Sequence, residues 1–476
     1  MRELIKMADK KSKKNKDEKD IHVWNTYTTT EKKRAHALAD DYRNFISKCK
    51  TERESVSETI RMAKAAGYIE LSEAIRKKKK LTTGDKVYAV GMKKTVALFQ
   101  IGERPCEDGL AILGAHIDTC KLDLKQNPLY EEGNMAYLDT HYYGGIKKYQ
   151  WVALPLALHG VVVKKDGTTL DVTVGEDEKD PVFCVTDLLI HLAQEQMEKK
   201  AAKVIEGEKL DILVGSLPLP DEDKNAVKSG VLAILNTKYG ITNDDFVSAE
   251  LTLVPAGRAR AMGFDRSMTL GYGQDDRVCA FTSLRAMLET KKTRRTACCL
   301  LVDKEEIGSV GATGMQSRFF ENTLAELMET LGEKGELRLR RALANSKMLS
   351  SDVSSGFDPL YASAFDKKNV AYLGGGMVFN KFTGSRGKSG SNDANAEYIA
   401  ELRKIMDKHK VRFQTAELGR VDLGGGGTIA YIMSLYGMQV IDCGVPVLSM
   451  HAPWEVTSIV DLYEATKGYR AFLAEA

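Results

Sequence analysis

The stretch ACCLLVDKEEIGS at 297–309 decides how the chain reads. Its first six residues, Ala297 to Val302, form a short apolar run bounded by charge, the pattern of a buried strand. Glu305 and Glu306 follow just past its C-terminal end, where open α/β sheets place their ligands. Neighbours on an extended chain point to opposite sides. One carboxylate of such a pair can hold a metal while the other faces a bound water. A Glu-Glu pair alone is most often solvated surface, so the reading rests on what lies at the other strand ends.

His116 and Asp118 lie in GLAILGAHIDTC at 109–120, where Gly109 to Gly114 again reads as a buried strand. A metal-bound imidazole normally donates its other ring N–H to an acceptor that fixes its tautomer, often a carboxylate. Asp118 is spaced to be that acceptor, although a buried histidine beside a turn aspartate is the plainer alternative. Asp275 and Asp276 lie in GYGQDDRVCAFTSLRAML at 271–288. There the glycines mark a turn, and the acids open an amphipathic helix with Val278, Phe281, Leu284 and Leu288 among its apolar positions. Capping that helix needs only one acid, so the doublet is open to a second use. Asp352 ends another candidate strand, KMLSSD at 347–352. His451 follows MQVIDCGVPVLSM, which reads as a strand, a Gly/Pro turn and a second short apolar run.

In chain order these positions supply His, Asp, Glu, Asp and His, with a spare Glu and a spare Asp. Imidazole and carboxylate donors suit zinc, and also cobalt or manganese. In two-metal hydrolases a carboxylate can bridge ions about 3.5–4 Å apart. Glu305 is then the natural general base, taking a proton from water and passing it to a leaving amine.

The ordered set HID, DDR, KEEIGS, SSD and SMHAP resembles the aspartyl aminopeptidase family of cocatalytic metallo-aminopeptidases. The DDR form is similar also to the tetrahedral aminopeptidases. DYRNFISKCKTERE at 41–54, GGIKKYQW at 144–151 and DLGGGGTIA at 422–430 support the first family, and the resemblance runs from about residue 24 to the end. It implies that His116, Asp275, Glu306, Asp352 and His451 hold two divalent ions per subunit, with Asp275 bridging. It implies Glu305 as base, Asp118 as the residue orienting His116, and a cis peptide between Asp275 and Asp276. It further implies peptide substrates with a free N-terminus and a homo-oligomer, in the family a tetrahedral dodecamer built from dimers. An inserted domain contributes a residue to a neighbour's site in that family. His191 and Asp187 are the nearest positions here, with His159 an outside candidate.

The chain departs from the better-known members in having Asp-Asp-Arg for Asp-Asn-Leu, and TCKLDL at 119–124 for a Ser-Pro-Cys-Leu stretch. These differences leave the ligand types intact and bear on substrate preference. Selecting an N-terminal Asp or Glu needs a cation in the first pocket. Lys381 lies near the family's basic substrate contact, with Arg386 and Lys388 as competitors, and all three fit a solvated basic loop as well. Without a cation in the pocket, a neutral end such as Leu or Met becomes the expected substrate. A deacylase or carboxypeptidase on the same fold, or a non-enzymatic self-assembling scaffold, are the rival readings.

A chain of 476 residues can bury a large core, and about 150 residues per domain gives two or three domains. Hydrophobic residues make up 43% and the net charge is +3, so nothing bulk-electrostatic points to nucleic acid or an anionic membrane. The N-terminus lacks the apolar stretch of a signal peptide, and no apolar run approaches the ~20 residues of a membrane span. The eight cysteines show no CxxC, which leaves a reduced cytoplasm as the simplest compartment. Among them Cys120, near His116, stands out for inhibitory metal or oxidant chemistry. Seven lysines between Lys6 and Lys19, mixed with acids, read as a solvated terminus.

More than 150 residues without a candidate ligand separate His116 from Asp275, far beyond an ordinary loop. A smaller β-rich domain is therefore expected at 124–256, with a hairpin around Asp166-Gly167 and a helix within 181–198. The catalytic part is expected at 1–123 joined to 257–476. Helices are expected there at about 30–66, 276–290, 318–345, 393–409, 426–436 and 456–474. They alternate with apolar runs near 87–100, 109–118, 297–302, 347–352, 370–379, 411–416 and 438–443. That alternation predicts an α/β fold with a mostly parallel or mixed sheet covered by helices. GGGGT at 424–428 lacks phosphate-loop spacing and reads as a close backbone approach or a tight turn.

Overall fold

A computed structural model describes residues 22–476; the lysine-rich run from Lys6 to Lys19 lies outside them. A nine-stranded mixed sheet forms the centre, and its middle is parallel. Strand Ala297–Val302 pairs with Ala111–His116, which pairs with Lys347–Ser351, which pairs with Gln439–Gly444. Four parallel strands end on one edge of the sheet. Residues that follow them, however distant in sequence, therefore share one neighbourhood.

These strands are apolar throughout because both faces are covered. Ala297, Cys299 and Leu301 enter one core cluster, while Cys298, Leu300 and Val302 enter another on the opposite face. The first cluster holds the helices Gln274–Glu289 and Ile459–Glu475; the second holds Phe319–Leu331 and Glu336–Ala344. The first of these helices is buried almost on every side, which explains its weak amphipathic pattern.

A second sheet of six antiparallel strands takes its residues from Lys121–Glu132 through Ala249–Pro255. Strands Leu156–Val163 and Thr169–Val174 close around Asp166 and Gly167 as a hairpin. Helix Ala226–Tyr239 packs on this sheet. A third, five-stranded sheet joins Met268–Gly271 to Glu455–Ser458 and Pro446–Leu448.

Several elements differ from expectation for local reasons. The helical stretch at 30–66 is two helices, Thr29–Lys48 and Glu52–Ala65. Thr51 and Glu54 form a capping box that starts the second. The stretch at 318–345 divides at Gly332 and Gly335, both with positive φ. Within 181–198 only a 3-10 turn, Ile190–Leu192, and one helical turn, Gln194–Met197, form. Only Ala430–Ser434 of 426–436 is helical, because the preceding glycines follow their own path.

Candidate active site

The sheet edge gathers the residues read from the sequence. His116 Nε2 lies 3.2 Å from Asp275 Oδ1, and His451 Nε2 lies 3.3 Å from Asp275 Oδ2. Each oxygen of Asp275 thus faces a different histidine. Asp352 Oδ1 and Glu305 Oε2 stand 3.9 and 3.8 Å from His116 Nε2, and Glu306 Oε2 stands 3.4 Å from His451 Nε2. The Asp275–Asp276 peptide is cis.

Glu305 and Glu306 do not diverge by strand alternation. Lys304 takes a left-handed conformation and the chain enters a 3-10 turn, Glu305–Ile307, so the turn rather than a pleat sends one carboxylate toward each histidine. Asp118 faces His116 Nδ1 with both its backbone carbonyl and its carboxylate. The acceptor nearest His116 Nδ1 is the Asp118 backbone carbonyl at 3.1 Å, with the carboxylate at 3.4 Å. The carboxylate also accepts the backbone N–H of Glu305 at 3.1 Å and of Glu306 at 3.2 Å, and the Tyr143 hydroxyl at 2.9 Å. Asp118 therefore holds the glutamate turn itself.

Two partners escaped the sequence reading. Glu455 accepts the N–H groups of His451, Gln274 and Asp275, tying both sides of the bridge together. The Gly145 carbonyl stands 2.9 Å from His451 Nδ1, which leaves Nε2 to face Asp275 and Glu306. Neither residue carries a local pattern; only WE after SMHAP and GG at 144–145 mark them.

The electrostatics call for positive charge. Burial pushes Glu305 up to about 7. Burial and then Asp275 push Glu306 up to about 8, and burial with Asp276 raises Asp352 well above the carboxylate range. Burial favours neutral histidines, yet hydrogen bonds to Asp118 and Asp275 raise His116, and those to Asp275 and Cys120 raise His451. So many carboxylates in one dry site repel one another unless a cation joins them. Glu306 Oε1 has no hydrogen-bond partner although its side chain is only 3% exposed. Donor types, spacing and this orphaned oxygen fit divalent ions of the zinc class.

A cleft of about 580 Å³ opens over these groups. Val353, Phe365, Leu418, Leu423 and Met450 line it, together with the Gly424–Gly427 ribbon, and no Lys or Arg among the described residues does. Gly425 has φ +108°, and a Cβ there would lie 2.5 Å from Ser385 Cα, so the ribbon is a close approach of two loops. Lys381 is half-exposed, 3.6 Å from Asp393, which also pairs with Lys388 at 3.0 Å. Neither lysine lines the cleft, and nor does Arg386. His191 is exposed on its 3-10 turn, Asp187 accepts the Leu188 N–H and a Gln196 side-chain N–H, and His159 is clamped between Glu54 and Glu176.

Residues 45–473 match the family described as aminopeptidase I zinc metalloprotease (M18). The chain belongs to the M18 family of zinc aminopeptidases. It is 62% identical over 453 residues to a probable M18 family aminopeptidase 1 of Clostridium acetobutylicum, covering 95% of this chain and 97% of that one. The crystal structure of an M18 aminopeptidase from Thermotoga maritima superposes with a TM-score of 0.92 at 41% identity, covering 96% and 99% of the two chains. That of aminopeptidase I from Clostridium acetobutylicum gives 0.89 at 60% identity, covering 95% and 99%. The M18 assignment agrees with the resemblance read from HID, DDR, KEEIGS, SSD and SMHAP, and the mixed, helix-covered α/β fold agrees with the alternation of elements.

Proposed function

We propose that this chain is a two-metal aminopeptidase that removes a neutral, apolar N-terminal residue from peptides. The observation that carries the reading is Asp275 set between two histidines at the floor of an apolar cleft that no Lys or Arg among the described residues lines. His116, Asp352 and Asp275 would hold one ion, and His451, Glu306 and Asp275 a second; zinc, or cobalt or manganese in its place, polarises the scissile carbonyl and acidifies water when bound. Glu305 takes a proton from the attacking water and delivers it to the leaving amine. Asp118 keeps Glu305 and Glu306 in register through their backbone N–H groups. Val353, Phe365 and Met450 accept the substrate's first side chain.

The excess of carboxylates favours a free α-amine over an acylated one, against a deacylase. A carboxypeptidase needs a cationic side chain for the terminal carboxylate, and no Lys or Arg among the described residues lines the cleft. The same lack moves the preference from acidic ends toward Leu or Met. A pure scaffold has no use for an orphaned buried carboxylate.

The catalytic unit at 1–123 and 257–476 carries the chemistry, and the insert at 124–256 mediates self-association into a homo-oligomer. Leu188, Leu189, Ile190, Leu192 and Met197 are exposed together on that insert, a surface suited to another copy. The described residues contain no helix long and apolar enough to cross a membrane. With all eight cysteines unpaired, a reducing cytoplasm is the compartment we assign.

The test is hydrolysis of Leu-, Met-, Asp- and Glu-anilides and N-acetyl-Leu-anilide by metal-stripped protein, with Zn²⁺, Co²⁺ or Mn²⁺ returned. Metal-restored cleavage of unblocked Leu and Met substrates over Asp and Glu is expected. Faster cleavage of Asp would overturn the pocket assignment, and cleavage of the blocked substrate would overturn the aminopeptidase.

A further inference from the structure

Cys120 lies between the strand ending at His116 and the strand beginning at Lys121. Its side chain is buried, and its thiol donates to Glu306 Oε2, 3.5 Å away. Donor atoms of Cys120, Glu306 and His451 all lie within 4.8 Å of one another. The orphaned, buried Glu306 Oε1 is an independent sign that this corner takes a ligand. Space for the sulfur depends on Gly144: at φ +78°, a Cβ there would lie 2.7 Å from Cys120 Sγ and 3.4 Å from Glu306 Oε2.

The spacing has a chemical meaning. Around a tetrahedral zinc ion with bonds of about 2.0–2.2 Å to N and O and about 2.3 Å to S, neighbouring donors stand about 3.4 Å apart, or about 3.6 Å when one is sulfur. His451–Asp275 is 3.3 Å, His451–Glu306 is 3.4 Å and Cys120–Glu306 is 3.5 Å. These three spacings match neighbouring donors around one ion.

We propose that Cys120 is a sulfur donor to the ion held by Glu306, His451 and Asp275, making that position select thiophilic cations (zinc, cobalt, cadmium) over magnesium or manganese. On coordination the thiol proton passes to solvent and sulfur binds as thiolate. The His116–Asp352 position has only nitrogen and oxygen donors, so the two positions differ in metal preference. This inference rests on the two-metal reading above.

The test is titration of the metal-stripped full chain with Co²⁺, followed by absorbance. A near-ultraviolet sulfur-to-cobalt charge-transfer band that saturates at one equivalent, and vanishes in Cys120→Ser, is expected; the other seven cysteines are the internal control. In competition, Cys120→Ser should lower the preference for Cd²⁺ over Mn²⁺ at one position by at least about tenfold. Two equivalents of cobalt bound by the unaltered protein without the band would overturn this inference alone. Persistence of the band in Cys120→Ser would do the same. Failure of the unaltered protein to bind cobalt would overturn both this inference and the two-metal reading. Should Cys120→Ser not fold, the spectrum of the unaltered protein and its Cd²⁺-against-Mn²⁺ ratio still decide.

Discussion

Replacing Tyr143 by Phe removes one hydrogen bond and little else. The hydroxyl donates to Asp118 Oδ2 at 2.9 Å, and Lys121 Nζ sits over the ring, 4.8 Å from its centroid. Phe keeps that ring, so packing and the cation–π contact survive. Burial and the Asp118 carboxylate push the phenol's pKa far upward, so it is an O–H donor at every working pH. The Asp118 side chain is fully buried; it also accepts the N–H groups of Glu305 and Glu306 and stands 3.4 Å from His116 Nδ1. A hydrogen bond to a buried charge contributes about 1.5–3 kcal/mol. Expressed wholly in the transition state, that is about 10- to 150-fold in rate. The two remaining N–H donors retain part of the alignment, so kcat should fall by about tenfold, near the lower bound. KM should stay unchanged, because Tyr143 does not line the cleft. Steady-state kinetics on Leu-anilide with metal content measured in parallel is the assay. A raised KM with unchanged kcat, or no change in either, would refute Asp118 as the holder of the glutamate turn.

Glu305→Gln keeps shape but removes the proton acceptor; kcat should fall by about 10²- to 10⁴-fold with metal occupancy intact, and loss of metal would mean that Glu305 is a ligand. Stripping the ions leaves the carboxylates facing one another, so the melting temperature should drop and recover on adding Zn²⁺, by about 2.7 kcal/mol at a hundredfold excess over the dissociation constant; calorimetry checks this. Burial lowers the pKa of His159, but Glu176 and Glu54 more than offset it, leaving the ring above its ordinary value. A raised folded-state pKa means the stabilisation is full below the unfolded value of about 6.5 and is lost as pH rises through the folded one. Thermal stability should therefore decline on the alkaline side of neutrality, and His159→Gln should flatten that slope; an unchanged slope in the variant would place the titrating group elsewhere.

The sequence showed most clearly what physics repeats locally. Four apolar runs with acids or imidazoles at their ends announced parallel strands covered on both faces, and hence a common edge. Ala297–Val302 could be read because each of its residues is buried. The second layer was not legible. Glu455, Tyr143 and Gly145 act through hydrogen bonds made mostly across long sequence separations, and nothing in their neighbours marks such use. Lys381 was placed by resemblance, and a basic loop gives no sign in the sequence of its partner Asp393. The turn at Glu305 reads as extended chain in the sequence because the left-handed Lys304 has no glycine to signal it.

Tyr143 and Gly145 lie two residues apart where the edge of the second sheet meets the catalytic layer. One grips the aspartate that aligns the glutamates, and the other grips the ring of His451. That short segment works like a splint fastened at two ends of the reaction centre. Any tilt of the six-stranded sheet would slacken both fastenings together, so the two layers cannot drift independently. The alignment of the chemistry is a mechanical property of the joint, set by the same contacts that hold one sheet against the other.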